Sequence, residues 1–148
     1  MIELRENELT VEKYLKLRAR VHWKALSDAQ AALALEKSLF IVSAYWGDEL
    51  VGMGRIVGDG AVICYVQDLI VVPEAQGMHI GSSILDRLRD FVDGLRMEHT
   101  EMMFCLMCAK GREHFYEKNG FMARPTESLG PGMIQYISDS HEGDSNRG

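Results

Sequence analysis

No apolar run in the sequence approaches the length of a membrane span, and the first ten residues, MIELRENELT, lack the apolar core of a signal peptide. Positive charge is also scarce, because 16 Lys and Arg residues face 22 Asp and Glu residues and give a formal net charge of −6. Nucleic-acid binding depends on neutralising phosphates with basic side chains. We therefore expect a cytoplasmic protein that binds neither nucleic acid nor membranes, and the negative charge agrees with a cationic small substrate.

Cysteine is scarce as well, with only Cys64, Cys105 and Cys108. The last two have the C-x-x-C spacing of a redox pair or of half a zinc site. However, the surrounding MMFCLMC has the composition of a strand, and residues three apart on a strand point to opposite faces. No second pair is present to complete a zinc site. We expect buried, reduced thiols and no metal.

The length and composition are those of one ordinary globular domain. The chain has 148 residues, of which 47% are hydrophobic and 26% charged, and this is enough to form a sizeable core. We predict one folded domain over residues 1–138 and a polar, disordered tail over residues 139–148. The sequence shows no internal repeat.

Hydrophobic periodicity and turn residues predict the order of the secondary-structure elements. In chain order we predict a strand over 2–5, helices over 11–22 and 28–38, strands over 39–46, 49–57 and 61–72, a helix over 80–95, a strand over 102–108, a helix over 111–119 and a strand over 132–138. Thr10 is the expected N-cap of the first helix and Gly120 the C-cap of the last. The fold class is therefore α/β or α+β, with a mixed, mostly antiparallel sheet flanked by helices.

The segment VVPEAQGMHIGSS, residues 71–83, joins a buried strand to the long helix through a turn with two glycines. The first turn of a helix offers unpaired backbone N–H groups and partial positive charge, so such a turn can bind an anion such as phosphate. Alternatively, Gly77 and Gly81 only permit a tight connection. The nucleotide P-loop is not matched, because no lysine follows Gly81. The dinucleotide fingerprint is not matched either, because it needs three glycines and a later acidic residue.

A second segment, REHFYEKNGF, covers residues 112–121. Phe115 and Tyr116 are adjacent on a predicted helix, so only one of them can point straight into the core. A tyrosine at the rim of a cleft can donate a proton from its hydroxyl. The alternative is a ring that packs while its hydroxyl meets water.

Both segments resemble signatures of the GNAT superfamily of N-acetyltransferases. The acyl-CoA turn of that superfamily has Gln or Arg, two residues, Gly, one residue, and Gly or Ala. Gln76 and Gly81 match the first and last positions of this pattern, and His79 stands where the central glycine is expected. FYEKNGF matches the other signature and follows the turn by one helix and one strand, as in the superfamily. The resemblance covers about residues 2–137.

The resemblance implies a GNAT-type domain that uses acetyl-CoA as co-substrate and transfers the acetyl group directly to a primary amine of a small molecule or peptide. It implies that Tyr116 protonates the departing CoA thiolate. Ala109 stands where an asparagine often contacts the pantetheine arm, so that contact would be absent or supplied by the backbone. Members of the superfamily often dimerise, so a homodimer is compatible with the resemblance. The residues implied in acetyl-CoA binding are Leu69, Ile70, Val71, Gln76, Gly77, Met78, His79, Ile80, Gly81 and Ser82.

Three further side chains are candidates for handling the acceptor amine. Asp68 interrupts an apolar strand just before the acyl site, where a buried carboxylate could serve as the base; alternatively it bonds the backbone at a strand irregularity, or the amine arrives already neutral. Trp23, in the loop between the first two helices, could line an acceptor pocket or cover the edge of the core. Arg55 could face the substrate or pair with a carboxylate.

Two other functions remain open at this point. A degenerate acyl-CoA-binding sensor would keep the fold without turnover, and His79 and Ala109 favour it whereas Tyr116 does not. A structural interaction protein would use the glycine turn as a plain connector and would bind no phosphate ligand.

Overall fold

A computed structural model describes residues 1–139, and the remainder of the predicted tail lies outside the described residues. The chain divides into two compact units, residues 1–107 and residues from 108 onward. We call them the sheet unit and the C-terminal unit, and each is described by itself.

The sheet unit contains five strands and three α-helices. In chain order they are β1 Ile2–Glu6, α1 Val11–Arg20, α2 Asp28–Lys37, β2 Phe40–Trp46, β3 Glu49–Gly58, β4 Ile63–Val71, α3 Ile80–Leu95 and β5 Met103–Leu106, with a short 3-10 helix at Pro73–Ala75 before α3. The spatial order of the strands is β1-β2-β3-β4-β5. β1 to β4 pair antiparallel, whereas β5 pairs parallel to β4. The predicted fold class, a mixed and mostly antiparallel sheet with flanking helices, is confirmed.

Side-chain caps fix the starts of α1 and α2. Thr10 Oγ1 accepts a hydrogen bond from the backbone N–H of Lys13 at 3.2 Å, as the sequence predicted. At α2, Ser27 and Gln30 bond each other's backbone N–H groups at 3.0 and 3.3 Å and form a capping box. These bonds satisfy donors that the first turn of a helix leaves unpaired.

Helix α3 packs closely against one face of the sheet. Its buried residues are Ile80, Ile84, Leu85, Leu88 and Val92. A Cβ atom added at Gly54 of β3 would lie 2.9 Å from Ile84 Cγ2 and 3.0 Å from Leu88 Cδ1, closer than normal van der Waals contact. The glycine therefore permits the short distance between α3 and the sheet.

Strand β4 carries an irregularity in its middle. Met53 pairs with Ile70 and Arg55 pairs with Gln67, so two steps along β3 match three steps along β4. The extra residue on β4 forms a β-bulge. Asp68 lies in this bulge and has a φ of +59°. On the other side, β5 pairs only with residues 63–66 of β4. β4 therefore continues past its β5 partner through the bulge to Val71.

The C-terminal unit contains α4, Glu113–Lys118. Gly120 follows it with a φ of +92°, and the N–H of Phe121 donates to the carbonyl of Tyr116 at 3.0 Å, which agrees with the predicted glycine cap. The prediction of a strand over residues 132–138 is wrong: the segment has no regular secondary structure. A strand needs a partner for its backbone groups, and none pairs with this segment within the described residues.

The prediction of buried thiols is also wrong at one position. Cys64 is buried and Cys105 partly buried, but Cys108 is exposed. The reason is that β5 ends at Leu106, so Cys108 lies beyond the strand whose alternation was used to infer burial. All three thiols are free.

Candidate active site

Asp68 is the centre of a buried polar cluster on the α1 side of the sheet. Its side chain is 0% exposed. Arg18 Nη1 donates to Oδ1 at 2.8 Å, Arg55 Nε donates to Oδ2 at 2.8 Å, and the Tyr14 hydroxyl donates to Oδ2. We call these four residues, Tyr14, Arg18, Arg55 and Asp68, the Asp68 cluster. Three donors therefore occupy most of the acceptor positions of the carboxylate.

The spacing of residues on α1 explains how the cluster assembles. Tyr14, Leu17 and Arg18 are three and four positions apart and so share one face of the helix. Tyr14 and Leu17 are buried, and Arg18 is carried to the same side beside them. Burial, reinforced by the hydrogen bond to Asp68, raises the pKa of the Tyr14 hydroxyl above its usual value of 10.0. Tyr14 is therefore a neutral donor in the cluster.

Arg18 also holds the loop that connects α1 to α2. The loop begins with His22 in the left-handed region, with a φ of +60°, and the N–H of Trp23 donates to the carbonyl of Arg18 at 3.1 Å, as in a Schellman motif. Arg18 Nη2 donates to the carbonyl of Lys24 at 2.8 Å, and the Arg18 guanidinium lies 5.4 Å from the Trp23 ring centroid. One side chain therefore links this loop to the bulge in β4.

A pocket of about 140 Å³ lies between α1 and the same loop. Trp23, predicted as an acceptor-pocket residue, is among its lining residues and is 38% exposed. The full set of lining residues is Leu15, Arg18, Ala19, Trp23, Ala25 and Leu26. The walls are therefore mostly apolar, with one guanidinium.

The sequence left two alternatives open for Arg55, facing the substrate or pairing with a carboxylate. It pairs with the Asp68 carboxylate, and its Nη1 donates to Ser38 Oγ at 3.2 Å. Its side chain is only 10% exposed. The structure therefore places it inside the Asp68 cluster.

The turn between β4 and α3 presents backbone donors without a side-chain cap. Gly77 and His79 have φ values of +87° and +61°, and Gln76 Nε2 donates to the carbonyl of Val71 at 3.1 Å. α3 has neither a side-chain cap nor an acidic residue in its first turn. Residues 76–79 are exposed. The first N–H groups of α3 and their partial positive charge can therefore attract an anionic group.

The positive φ at residue 79 gives a physical reason for a glycine in the superfamily pattern. Glycine adopts this region without steric cost, whereas other residues do so with strain. His79 keeps the left-handed backbone that the turn needs.

The backbone N–H groups of β4 beyond the bulge point alternately toward β3 and away from it. The N–H of Val72 donates to the carbonyl of Val51 in β3 at 2.9 Å. Successive N–H groups of a strand point to opposite sides, so the N–H of Val71 points away from β3. β5 pairing has already ended at Val66 on that side. Residues 69–71 therefore border a part of the strand edge that β5 does not cover.

Tyr116 belongs to the C-terminal unit and lies on α4. Its ring contacts Phe115 and Phe121 edge to face, with centroid distances of 5.0 and 5.8 Å, and it is partly buried. These contacts hold the ring in one orientation within the C-terminal unit.

Sequence reasoning missed Tyr14 and Arg18. The available signal was an arginine four residues after Tyr14, on the same face of α1, where an isolated charge is costly unless it is paired. Within residues 1–139, no group of three or more His, Cys, Asp or Glu side chains could hold a metal ion. None of the helices described is both long and apolar enough to cross a membrane.

A comparison with known protein families identifies the class of protein, an acetyltransferase. A model of the Acetyltransferase (GNAT) domain matches residues 36–123, which is more than half of the chain. The chain therefore belongs to the GNAT family, which uses acetyl-CoA as co-substrate. No curated protein matches the chain.

Solved structures agree with this assignment. A protein of unknown function from meticillin-resistant Staphylococcus aureus, described as a probable acetyltransferase, is 31% identical with a TM-score of 0.80, and the match covers 92% of this chain and 100% of that one. A GNAT-family acetyltransferase from Streptococcus pneumoniae is 30% identical with a TM-score of 0.75, covering 95% and 100%. Glucosamine-6-phosphate N-acetyltransferase from Arabidopsis thaliana, 14% identical with a TM-score of 0.68 and covering 93% and 99%, shares the fold alone.

Proposed function

We propose that this protein is an N-acetyltransferase that transfers the acetyl group of acetyl-CoA to a primary amine of a small molecule or peptide. The observation that carries the proposal is the uncapped start of α3 after the bulged strand β4. There the exposed turn of Gln76 to His79 and the first N–H groups of α3 offer donors and positive potential to a pyrophosphate. Gln76, Gly77, Met78, His79, Ile80, Gly81 and Ser82 are the proposed pyrophosphate-binding residues.

The proposed acyl site lies at Leu69, Ile70 and Val71. As the amine attacks the thioester carbon, negative charge develops on the thioester oxygen, and a backbone N–H of β4 beyond the end of its pairing with β5 would stabilise it. Tyr116, on the strength of the FYEKNGF motif, is the proposed donor of a proton to the CoA thiolate when the tetrahedral intermediate collapses.

The contacts of Asp68 favour a supporting role for this residue over that of the base. Its carboxylate is buried and already accepts hydrogen bonds from Tyr14, Arg18 and Arg55. A base must reach the proton that it removes, directly or through one water. We propose that Asp68 fixes the bulge that precedes the acyl site and that the amine loses its proton to solvent. Trp23 is proposed to contact the acceptor. Arg55 is proposed to influence acceptor binding indirectly, by holding the Asp68 carboxylate in place.

The first test is an isothermal titration of the purified protein with acetyl-CoA, with ATP and NAD as controls. We expect micromolar binding of acetyl-CoA alone. A Gly77→Val variant should bind about tenfold more weakly, because a β-branched residue at a φ of +87° distorts the turn. The control is Gly94→Ala, which lies on α3 and has open space around the added methyl group. Absence of acetyl-CoA binding by the unchanged protein would refute the proposal.

One alternative is an acyl-CoA sensor without turnover, and the engagement of Asp68 by three donors favours it, since no free base is then present at the bulge. Thiol release from acetyl-CoA over a panel of amines separates the two functions. An enzyme should lose turnover in Tyr116→Phe and keep acetyl-CoA affinity. A sensor should release no thiol with any amine and bind acetyl-CoA equally well in both forms.

A further inference from the structure

The Asp68 cluster carries one positive charge more than it carries negative charges. Arg18 and Arg55 each contribute one positive charge and Asp68 contributes one negative charge. The three side chains are 11%, 10% and 0% exposed, so the surplus charge is largely removed from solvent. Buried charges are normally paired, because an uncompensated buried charge is strongly destabilising.

The other hydrogen-bond partners in and around the cluster are Tyr14, Ser38 and the Lys24 carbonyl, and none of the three supplies a negative charge. Burial and the hydrogen bond to Asp68 raise the pKa of Tyr14, so its hydroxyl stays protonated. Ser38, which accepts from Arg55, is neutral. The charges that act on Tyr14 are those of Asp68, Arg55 and Arg18, which is the same set.

A donor of the same cluster also lacks an acceptor. Arg18 Nε is buried and has no hydrogen-bond partner in the part of the chain that the structure describes. Such orphaned buried donors are rare in folded proteins, and a bound water or ion is one way to satisfy them. Arg18 lines the pocket beside Trp23, so the unpaired donor belongs to a residue that borders open space.

We propose that this pocket binds the acceptor through a negatively charged group: the substrate is an amine that also carries a carboxylate, and the carboxylate pairs with Arg18. The proposal rests on the proposed function and names the substrate class of the same site. The carboxylate would pair with the Arg18 guanidinium and restore the charge balance of the cluster.

The rest of the pocket suits a small apolar body. Leu15, Ala19, Ala25 and Leu26 line it together with the Trp23 ring. Its volume of about 140 Å³ is close to that of a cavity that accommodates one benzene ring, about 150 Å³. The substrate class is therefore a compact amino acid or similar amine with one ring or a short branched chain.

Ligand binding in the pocket can be measured without any catalytic turnover. Trp46→Phe leaves Trp23 as the only tryptophan, and because its ring lies against the Arg18 guanidinium, its fluorescence should report a ligand there. Benzoate, benzamide and benzylamine are titrated into this protein. We expect benzoate to bind at least about tenfold more tightly than the other two and to weaken as salt is added. Equal binding of benzoate and benzamide, or tighter binding of benzylamine, would overturn the proposal.

Two arginines of α1 give a matched pair of variants. Arg18→Met keeps an apolar stem and leaves Asp68 paired with Arg55, so the cluster becomes neutral. It should lose the preference for benzoate. Arg20→Met is the control, since Arg20 pairs with Glu49 and Glu74 outside the cluster, and it should keep the preference. Equal loss in both variants, or retention in Arg18→Met, would count against the pocket. The titrations of the Trp46→Phe protein decide the matter if Arg18→Met does not fold.

The outcome can be separated from that of the proposed function. If acetyl-CoA does not bind but benzoate does, the transferase proposal fails and the anion site stands. If acetyl-CoA binds and amines are acetylated, but benzylamine and a carboxylate-bearing analogue such as phenylglycine react with equal kcat/KM, the transferase stands and the anion site fails.

Discussion

The two faces of the sheet are stabilised by different physical interactions. The face toward α3 is apolar and closely packed, and Gly54 permits the contact with Ile84 and Leu88. The face toward α1 holds the Asp68 cluster and, beside it, the pocket at Trp23. Apolar packing is non-directional and needs only volume and shape, whereas the cluster depends on every partner being present. The comparison shows that one face is held by apolar packing and the other by a buried polar cluster, and we propose that the second contributes to acceptor specificity.

The largest expected effect comes from removing the centre of the polar face. Asp68→Ala leaves two buried guanidinium groups without a carboxylate and should lower the free energy of unfolding by about 3–5 kcal/mol. Urea denaturation measures the change. The control is Asp86→Ala, whose partner Arg89 is on the helix surface, and it should cost at most about 0.5 kcal/mol. Similar losses in the two variants would mean that the cluster contributes no more than a surface pair.

A smaller decrease in the free energy of unfolding is expected when the cluster keeps its charged side chains but one neutral hydrogen-bond donor is removed. Tyr14→Phe removes a hydrogen bond to a carboxylate and should cost about 1.5–3 kcal/mol at neutral pH, as measured by the same denaturation. The matched control is Tyr136→Phe, which removes a hydroxyl from a residue that is 79% exposed. No loss in Tyr14→Phe would show that the remaining partners compensate.

Tyr14 also predicts how stability depends on alkaline pH. Its pKa is raised in the folded protein, so the folded state holds this proton more tightly than the unfolded state does. The resulting stabilisation is fully present below the ordinary tyrosine pKa of about 10 and is lost as pH rises through the folded value. Above about pH 10, the unchanged protein should therefore lose more stability with rising pH than Tyr14→Phe does. Parallel curves would contradict this prediction.

On the apolar face, Gly54→Ala tests whether close packing is essential. The added methyl group would approach Ile84 and Leu88 and should cost about 1–3 kcal/mol in denaturant. Gly94→Ala on α3 is the control; it meets no atom within 4 Å and should stabilise the protein by about 0.5–1 kcal/mol. A neutral Gly54→Ala would show that α3 can move away from the sheet.

The smallest effect on stability is expected at His79, in the turn between β4 and α3. His79→Gly relieves left-handed strain but adds freedom to the unfolded chain, so we expect a net stabilisation of about 0.5–1 kcal/mol. If the turn binds acetyl-CoA through its backbone alone, titration should give an unchanged affinity. A loss of affinity would show that the imidazole takes part in binding.

Local sequence patterns predicted most of the fold. The apolar runs of β2 and β3, the glycine turn between them, the 3.6-residue period of α3 and the Thr10 cap act over short distances and could be recognised directly. The strand over residues 132–138 was predicted on the same grounds and does not form. Apolar composition alone does not provide the neighbouring strand that backbone hydrogen bonding requires.

The candidate site was predicted less completely. Asp68, Arg55 and Trp23 stood out because each departs from its surroundings, and the turn stood out by its glycines. Their partners could not be inferred. Tyr14 and Arg18 precede Asp68 by 54 and 50 residues, and no local pattern specifies that separation. The net negative charge of the sequence suggested a cationic substrate, whereas the Asp68 cluster has two arginines for one aspartate and so carries a surplus positive charge.

The sequence by itself determined the class of fold, the position of the turn before α3 and the family resemblance, because these depend on periodicity and on short motifs. Only the tertiary structure decided which side chains bond to Asp68 and how Arg18 connects to the Trp23 loop. It also decided that residues 132–138 form no strand in the described chain. The physical reason is that charge pairing and strand pairing depend on distances in space, and those are set only when α1 packs on the bulged face of the sheet.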